Sequence, residues 1–361
     1  MTYDSTSVIK KLILLFLVFA GLYFAKEFLI PFSIGTLLAT LFLPFCKWME
    51  GKKIHRGVAA LICLIVLLVV IAGITSLIGW QVSEITNDFD IIKQKSIETA
   101  TRIQQYIYNH VGISLKKQGE LLSKEQSFLP LILQGVAAPL PSIFTDFVLI
   151  LIYILFLLYY RGHIKQFLLK LSSNEQENDM EKMIYNVADV SQQYLLGLSK
   201  MIVCLWIMYG IGFSIVGVKN ALFFAFLCGL LEIVPFIGNI TGTTITILVA
   251  LVQGASLQML IGIAGTYGAI QFIQGWVLEP LIVGSQVKIN SLFTIIALVI
   301  GGIVWGLSGV FLAIPLMAMF KIVCDHIEPL KSYGFLIGEV QKKKEDSDFI
   351  KKLSGWYKQH K

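Results

Sequence analysis

Long uncharged stretches alternate with short charged ones along this chain, and the lengths of the uncharged stretches predict its elements. Leu12–Ala25 and Phe28–Cys46 are apolar runs parted only by Lys26-Glu27, so they read as a tight pair of spans, the second bearing Pro31 and Pro44. A hydrocarbon core of about 30 Å needs about 20 helical residues, which makes the first run short unless its flanking lysines snorkel. Gly57–Ser83 is a third span, about Ser142 to Tyr160 a fourth preceded by Pro139 and Pro141, and Met201–Val218 a fifth. Two intervening segments carry a different pattern. In Glu84–Leu140, Ile85, Phe89, Ile92, Ile103 and Tyr106 recur at helical spacing among balanced charges, which predicts an amphipathic helical insert: a packing face, a lid or an oligomer contact. In Asn174–Gly197, Met183, Val187, Val190 and Tyr194 predict a helix lying on the inner membrane surface.

Beyond the fifth span the pattern becomes irregular. From Lys219 to Phe320 the only charged residues are Lys219, Glu232, Glu279 and Lys288. Ile233–Leu278 is uncharged and longer than one helix can use, and Gly254-Ala255-Ser256 is its turn signal. This gives a broken segment Asn220–Gln253 and a sixth span at about Leu257–Leu278. Ile289–Phe320 is again uncharged and again interrupted, by Gly301-Gly302, Gly306, Gly309 and Pro315. The two broken segments echo each other. Val218-Lys219-Asn220 opens one and Val287-Lys288-Ile289-Asn290 the other, and each has a Gly six residues before a Pro, Gly229 to Pro235 and Gly309 to Pro315. Opposed broken hairpins at the midplane are a recurrent transporter design, and on that reading Pro235 and Pro315 mark two tips meeting at one site.

The predicted fold is therefore all-α, a polytopic membrane protein with six full spans plus two broken, re-entrant segments. Eight full spans satisfy the same parity. The chain divides into an N-terminal three-span unit (1–83), an extracytoplasmic amphipathic insert (84–141), the fourth span with its surface helix (142–197), a half with broken helices (198–326) and a basic tail (327–361).

Charge orients these elements. Lys47, Lys52, Lys53, His55 and Arg56 stand against Glu50 alone, Arg161, His163 and Lys165 follow the fourth span, and Lys342–Lys344 lie in the tail, so all three regions are expected on the cytoplasmic side. Lys10-Lys11 before the first apolar run resembles a signal peptide, but Lys26-Glu27 follows without a small-residue cleavage site, and an uncleaved first helix is expected. The net charge of +6 sits in loops and tail, where orientation explains it, so no nucleic-acid partner is expected. The five cysteines lie singly, without a Cys-x-x-Cys pair, and no His-Glu-x-x-His, Gly-x-Ser-x-Gly or Gly-x-x-x-x-Gly-Lys-Ser/Thr occurs. The chain is not expected to be an enzyme or to hold a metal or cofactor.

Candidate chemistry concentrates where charge is costly. Glu232, three residues before Pro235, places a carboxylate beside a backbone break, and such a group is either functional or satisfied by nearby donors. Gly238, Asn239 and Thr241 follow the break, with Thr243, Thr244 and Thr246 beyond. Tyr267, Gln271 and Gln274 fall on one helical face at i, i+4 and i+7, as interhelical hydrogen-bonders or as a substrate path. Glu279 lies near the predicted inner boundary, as an interfacial charge or as part of a site. Glu232, Pro235, Gly238, Asn239, Thr241, Gln271, Gln274, Glu279 and Pro315 are the candidate substrate or ion contacts.

Three blocks, Glu232-x-x-Pro235-x-x-Gly238, Gln274-Gly275-x-x-Leu278-Glu279-Pro280-x-x-Val283-Gly284, and Gly301-Gly302-x-x-Trp305-Gly306-x-x-Gly309-x-x-x-Ala313-x-Pro315-Leu316, resemble the AI-2E (autoinducer-2 exporter) or PerM family of bacterial transporters. The resemblance covers nearly the whole chain. It implies a bacterial inner-membrane protein and a homo-oligomer, whose members are assigned to export of autoinducer-2 or to sodium/proton antiport. Two positions depart from the family pattern: Asn239 stands where Pro commonly follows the glycine of the first block, and Asn290-Ser291 where a His-Pro or similar pair precedes the last broken segment. Both departures leave the transported species open. The expected function is a secondary transporter of a small, autoinducer-2-like or other organic solute, or of a monovalent cation against protons; a passive channel and a membrane scaffold are the other readings.

Overall fold

Helix length separates the elements that can cross a bilayer from those that cannot. A computed structural model describes residues 5–87, 108, 140–172, 177–234, 237–283 and 288–339. Among these, the chain is helical almost throughout, an all-α polytopic membrane protein. The helices are α1 (Ser5–Phe24), α2 (Lys26–Gly51), α3 (Arg56–Asn87), α4 (Leu140–Lys170), α5 (Glu177–Val216), α6 (Ala221–Leu231), α7 (Ile237–Val252), α8 (Leu257–Ile273) continued by a π-helical segment (Gln274–Val283), α9 (Ser291–His326) and α10 (Lys331–Ile337). At 1.5 Å per residue α1 is about 30 Å long, so the short first apolar run is extended by its polar flank to full depth. The amphipathic insert between spans three and four, apart from the end of α3, Tyr108 and the start of α4, and the lysine-rich part of the tail lie outside the described residues, as does Pro235.

Packing falls into two halves. In the first, α2, α3 and α4 meet through small and branched residues, with Ala59, Ala60, Cys63 and Ile154 fully buried. In the second, α5 through α8 enclose Leu205, Tyr209, Phe213, Phe224 and Ile263. Leu37, Tyr194, Leu195 and Leu312 join the halves. Lipid is as apolar as these side chains, so close steric fit rather than escape from water holds such contacts.

Two expectations change at this level. The predicted surface helix and fifth span are one continuous helix, α5, because no proline separates them, and the Ser191 and Ser199 hydroxyls are satisfied inside it by Val187 O (2.7 Å) and Leu195 O (2.8 Å). At about 60 Å, α5 is twice as long as the hydrocarbon is thick.

The second change concerns where the last broken segment turns. Residues eight apart on an unbroken helix are separated by about 12 Å. A Cβ on Gly301 would instead stand 2.4 Å from Gly309 O, and one on Gly309 would stand 1.9 Å from Gly301 O. The chain therefore doubles back between them, at Gly306 (φ 61°, ψ −138°). Pro315, expected at the tip, is buried well inside the returning arm, where helix continues around it. A proline can be carried inside a membrane helix when neighbours re-satisfy the freed carbonyl, whereas a reversal of this kind needs a backbone conformation that glycine adopts freely. The tip reaches the end of the bundle where α1 meets α2: Trp305 Nε1 donates to Leu22 O at 2.9 Å, and Gly302–Gly306 share a cavity of ≈ 480 Å³ with Lys26, Glu27 and Asp146. Both feet of this hairpin are tied at the opposite end. Asn290 donates from Nδ2 to Leu336 O (2.7 Å) and Gly338 O (3.1 Å), while its Oδ1 caps α9 by accepting from Phe293 N.

Candidate transport site

The first broken segment is a hairpin whose arm α6 is far too short to cross. Its 11 residues rise about 16 Å against about 30 Å of hydrocarbon. Antiparallel pairing of α6 and α7 is fixed by two close approaches. A Cβ on Gly242 would lie 2.9 Å from Cys228 Cα, and one on Gly238 would lie 1.9 Å from Leu231 O. Only glycine permits the second, so Gly238 sets how tightly the arms close at the turn. Helix α6 stops because Ile233 N and Val234 N bond three residues back, to Leu230 O and Leu231 O, and the sequence then presents Pro235, which has no N–H to donate.

This turn carries the buried polar groups of the second half. Glu232 lies at the C-terminal end of α6 and is 5 % exposed; Asn239, on the first turn of α7, is 0 % exposed; Gln274, where α8 widens into its π-helical segment, is 4 % exposed. Asn239 Nδ2 donates to Gln274 Oε1 at 2.8 Å and to Gln271 Oε1 at 3.2 Å. Gln274 Nε2 donates to Glu232 Oε1 at 2.6 Å. A carboxylate at a helix C-terminus gains nothing from its own helix, whose carbonyl end is negative, so Gln274 is its principal support.

That support is incomplete. Glu232 Oε2 and Asn239 Oδ1 are both buried and neither accepts a hydrogen bond from the described residues. Thr243 Oγ1, one helical turn beyond Asn239 on the same face, and the Tyr209 hydroxyl on α5 are in the same condition. A charged carboxylate at bilayer depth costs about 2.5–3.5 kcal/mol, against about 1–2 kcal/mol returned by one interhelical hydrogen bond. One amide donor does not balance the charge, and the remaining acceptors present oxygen to a proton, a cation or a hydroxyl-bearing solute.

The structure thus brings together Glu232, Asn239, Gln271 and Gln274, with Gly238 shaping the turn. It separates others. Thr241 lies on the exposed side of α7, with Thr244, while Thr243 and Thr246 are buried. Thr246 Oγ1 is occupied by Gly242 O at 2.8 Å. Glu279 makes no hydrogen bond to the cluster among the described residues but is exposed on the same π-helical segment that Gln274 opens, close enough for its charge to act on Glu232, and Pro315 belongs to the other hairpin. Tyr209 was not legible as a site residue, since a single tyrosine in a clean apolar span carries no signal until its neighbours are known. Among the described residues no group of three or more His, Cys, Asp or Glu side chains could hold a metal ion.

A bundle of spans that encloses a short re-entrant hairpin, with a buried carboxylate at its break, defines a membrane transporter. The description "AI-2E family transporter" matches residues 12–328, and the chain belongs to that family. It is 22% identical to "Putative transport protein YrrI" of Bacillus subtilis (strain 168), over 83% of this chain and 87% of that protein. It is 21% identical to "Putative transport protein YhhT" of Escherichia coli (strain K12), over 92% of this chain and 94% of that protein. "AI-2 transport protein TqsA" of the same strain is 20% identical over 94% of this chain and 98% of its own length.

Proposed function

We propose that the protein is a secondary transporter of the bacterial inner membrane that carries a small hydroxyl-bearing solute of the autoinducer-2 type, with Glu232, Gln274 and Asn239 as its contacts. The observation that carries this reading is the pair of buried acceptors, Glu232 Oε2 and Asn239 Oδ1, at the two ends of one hydrogen-bonded chain through Gln274. A furanone bearing several hydroxyls supplies donors to both, and a relative that covers almost the full chain is named for that cargo. Chemistry at low identity does not transfer by name, so the acceptor pair, and not the relative, is the ground of the proposal.

A second reading rests on the same atoms. Two oxygens, one of them anionic, also suit a monovalent cation exchanged for a proton on Glu232. Purified protein in proteoliposomes distinguishes the two. Labelled autoinducer-2 should accumulate or exit faster than in empty vesicles, and a Na⁺ gradient without solute should leave lumenal pH unmoved. Proton movement driven by Na⁺ alone selects the antiporter. Equal flux of solute with and without an ion gradient selects a passive channel, and no flux of either kind selects a scaffold.

A further inference from the structure

A second cavity, of ≈ 780 Å³, opens at the far end of the molecule from the Gly306 turn, between the ends of α2 and α4, the start of α5 and His326. Its charged walls are Lys47, Arg161, Lys165, Lys182 and Glu181. Most of these charges are already matched. Lys165 Nζ bonds Glu181 Oε1 at 2.6 Å, Lys182 Nζ stands 3.4 Å from Asp179 Oδ1, and Arg161 Nη2 donates to Glu50 Oε2. One donor is not: Lys47 is exposed and has no acidic partner among the described residues. His326 Nδ1 is held to Ile322 O at 2.8 Å, which leaves its other ring nitrogen uncommitted.

Leu43, Ile184 and Ala188 give the wall an apolar stretch, beside Asn178, Tyr185 and Asn186. The level is that of a membrane interface: Trp48, Tyr159, Tyr160 and Tyr185 are exposed around the same end, as an aromatic belt requires, and Lys52 Nζ sits 3.8 Å from the Trp48 ring centre. A cavity with one uncompensated lysine and an apolar stretch of wall at headgroup depth accepts a singly charged phosphate diester with hydrocarbon attached.

We propose that this cavity binds the phosphodiester headgroup of an anionic phospholipid, with Lys47 as its direct ion pair. Pockets of basic residues between spans are suited to such headgroups. The site shares no residue with the Glu232 cluster and does not depend on the transported species.

Native mass spectrometry of the full-length protein, released from bilayers of phosphatidylcholine with phosphatidylglycerol of matched acyl chains, reads this directly. Phosphatidylglycerol should be retained in preference to phosphatidylcholine. Lys47→Gln, an exposed position, should weaken that retention about fivefold, the usual effect of one basic residue at an anionic surface, and Lys47→Arg should restore it. Equal retention of the two lipids, or an unchanged preference in Lys47→Gln, overturns the site. Displacement of the lipid by excess inorganic phosphate overturns the lipid as its source and assigns a soluble phosphate instead.

Discussion

Gln274 Nε2 reaches Glu232 Oε1 across 2.6 Å, although 42 positions separate the two residues in the chain. The contact ties the break of the α6–α7 hairpin to the point where α8 changes from α- to π-helical pitch. Widened turns of this kind recur at functional sites, because they redirect side chains that a regular helix would space evenly. Gln274 spends its other amide atom on Asn239, so one residue holds both arms of the hairpin.

Removing that residue should be costly. Gln274→Leu leaves the Glu232 carboxylate and the Asn239 amide buried without their shared partner, and an unsatisfied buried polar group costs about 1–3 kcal/mol, more when charged. We expect a lower unfolding temperature of the purified protein and at least a tenfold loss of transport. Glu232→Gln combined with Gln274→Leu should be less harmful than the sum of the single changes, as residues in one network are not additive. Strict additivity in the thermal shifts would show that the two side chains do not interact.

The glycine pair of the second hairpin gives a packing prediction. Gly309→Leu places a side chain where Gly301 O stands 1.9 Å from the first added carbon, and backbone cannot yield as a side chain tip does. Folded, detergent-stable protein should be lost. Gly275→Ala, with nothing within 4 Å of its added carbon, should be tolerated. Size-exclusion profiles of the two variants make the comparison.

The position of the Gly306 turn is testable by crosslinking. Trp305 Nε1 and Leu22 O are in hydrogen-bond contact, so cysteines placed at these two positions should be joined in membranes by a short bifunctional thiol reagent that spans the length of the lost indole, and a pair at Leu22 and Ala313 should not. The reverse result would return the turn to the neighbourhood of Pro315.

Orientation follows from the basic end of the bundle. Cysteines at Lys53 and Glu177 should react with impermeant reagents only from the cytoplasmic side, and one at Lys26 only from outside. The outer position expected for Lys116 falls outside the described residues. Labelling of position 26 from the cytoplasm would invert the topology.

Run length and the proline–glycine signals made most of this architecture readable in the sequence. They located the spans and both broken segments, and of the three residues spaced at i, i+4 and i+7 the structure brings Gln271 and Gln274 together on Asn239. Local signals failed where a tertiary fact decides. Pro315 and Gly306 are both helix breakers on paper, and only the approach of Gly301 to Gly309 shows which one turns the chain. Thr241 and Thr243 are equivalent as letters, but the register of α7 against its neighbours buries one and exposes the other. The continuity of α5 was hidden because its two halves have different polarity patterns, and a change of environment along a helix resembles a change of element.

The most direct test of the central claim, that the Glu232–Gln274–Asn239 chain is where cargo is met, is solute flux through the Glu232→Gln variant in proteoliposomes. The amide keeps the shape of the side chain and can still accept from Gln274 Nε2, while its second terminal atom becomes a donor instead of the open acceptor Oε2. Folding and reconstitution should be unchanged, and autoinducer-2 flux should fall at least tenfold and lose any dependence on a pH gradient. Flux and pH dependence equal to the unaltered protein, at equal reconstituted amount, would contradict the account and leave Glu232 a structural carboxylate.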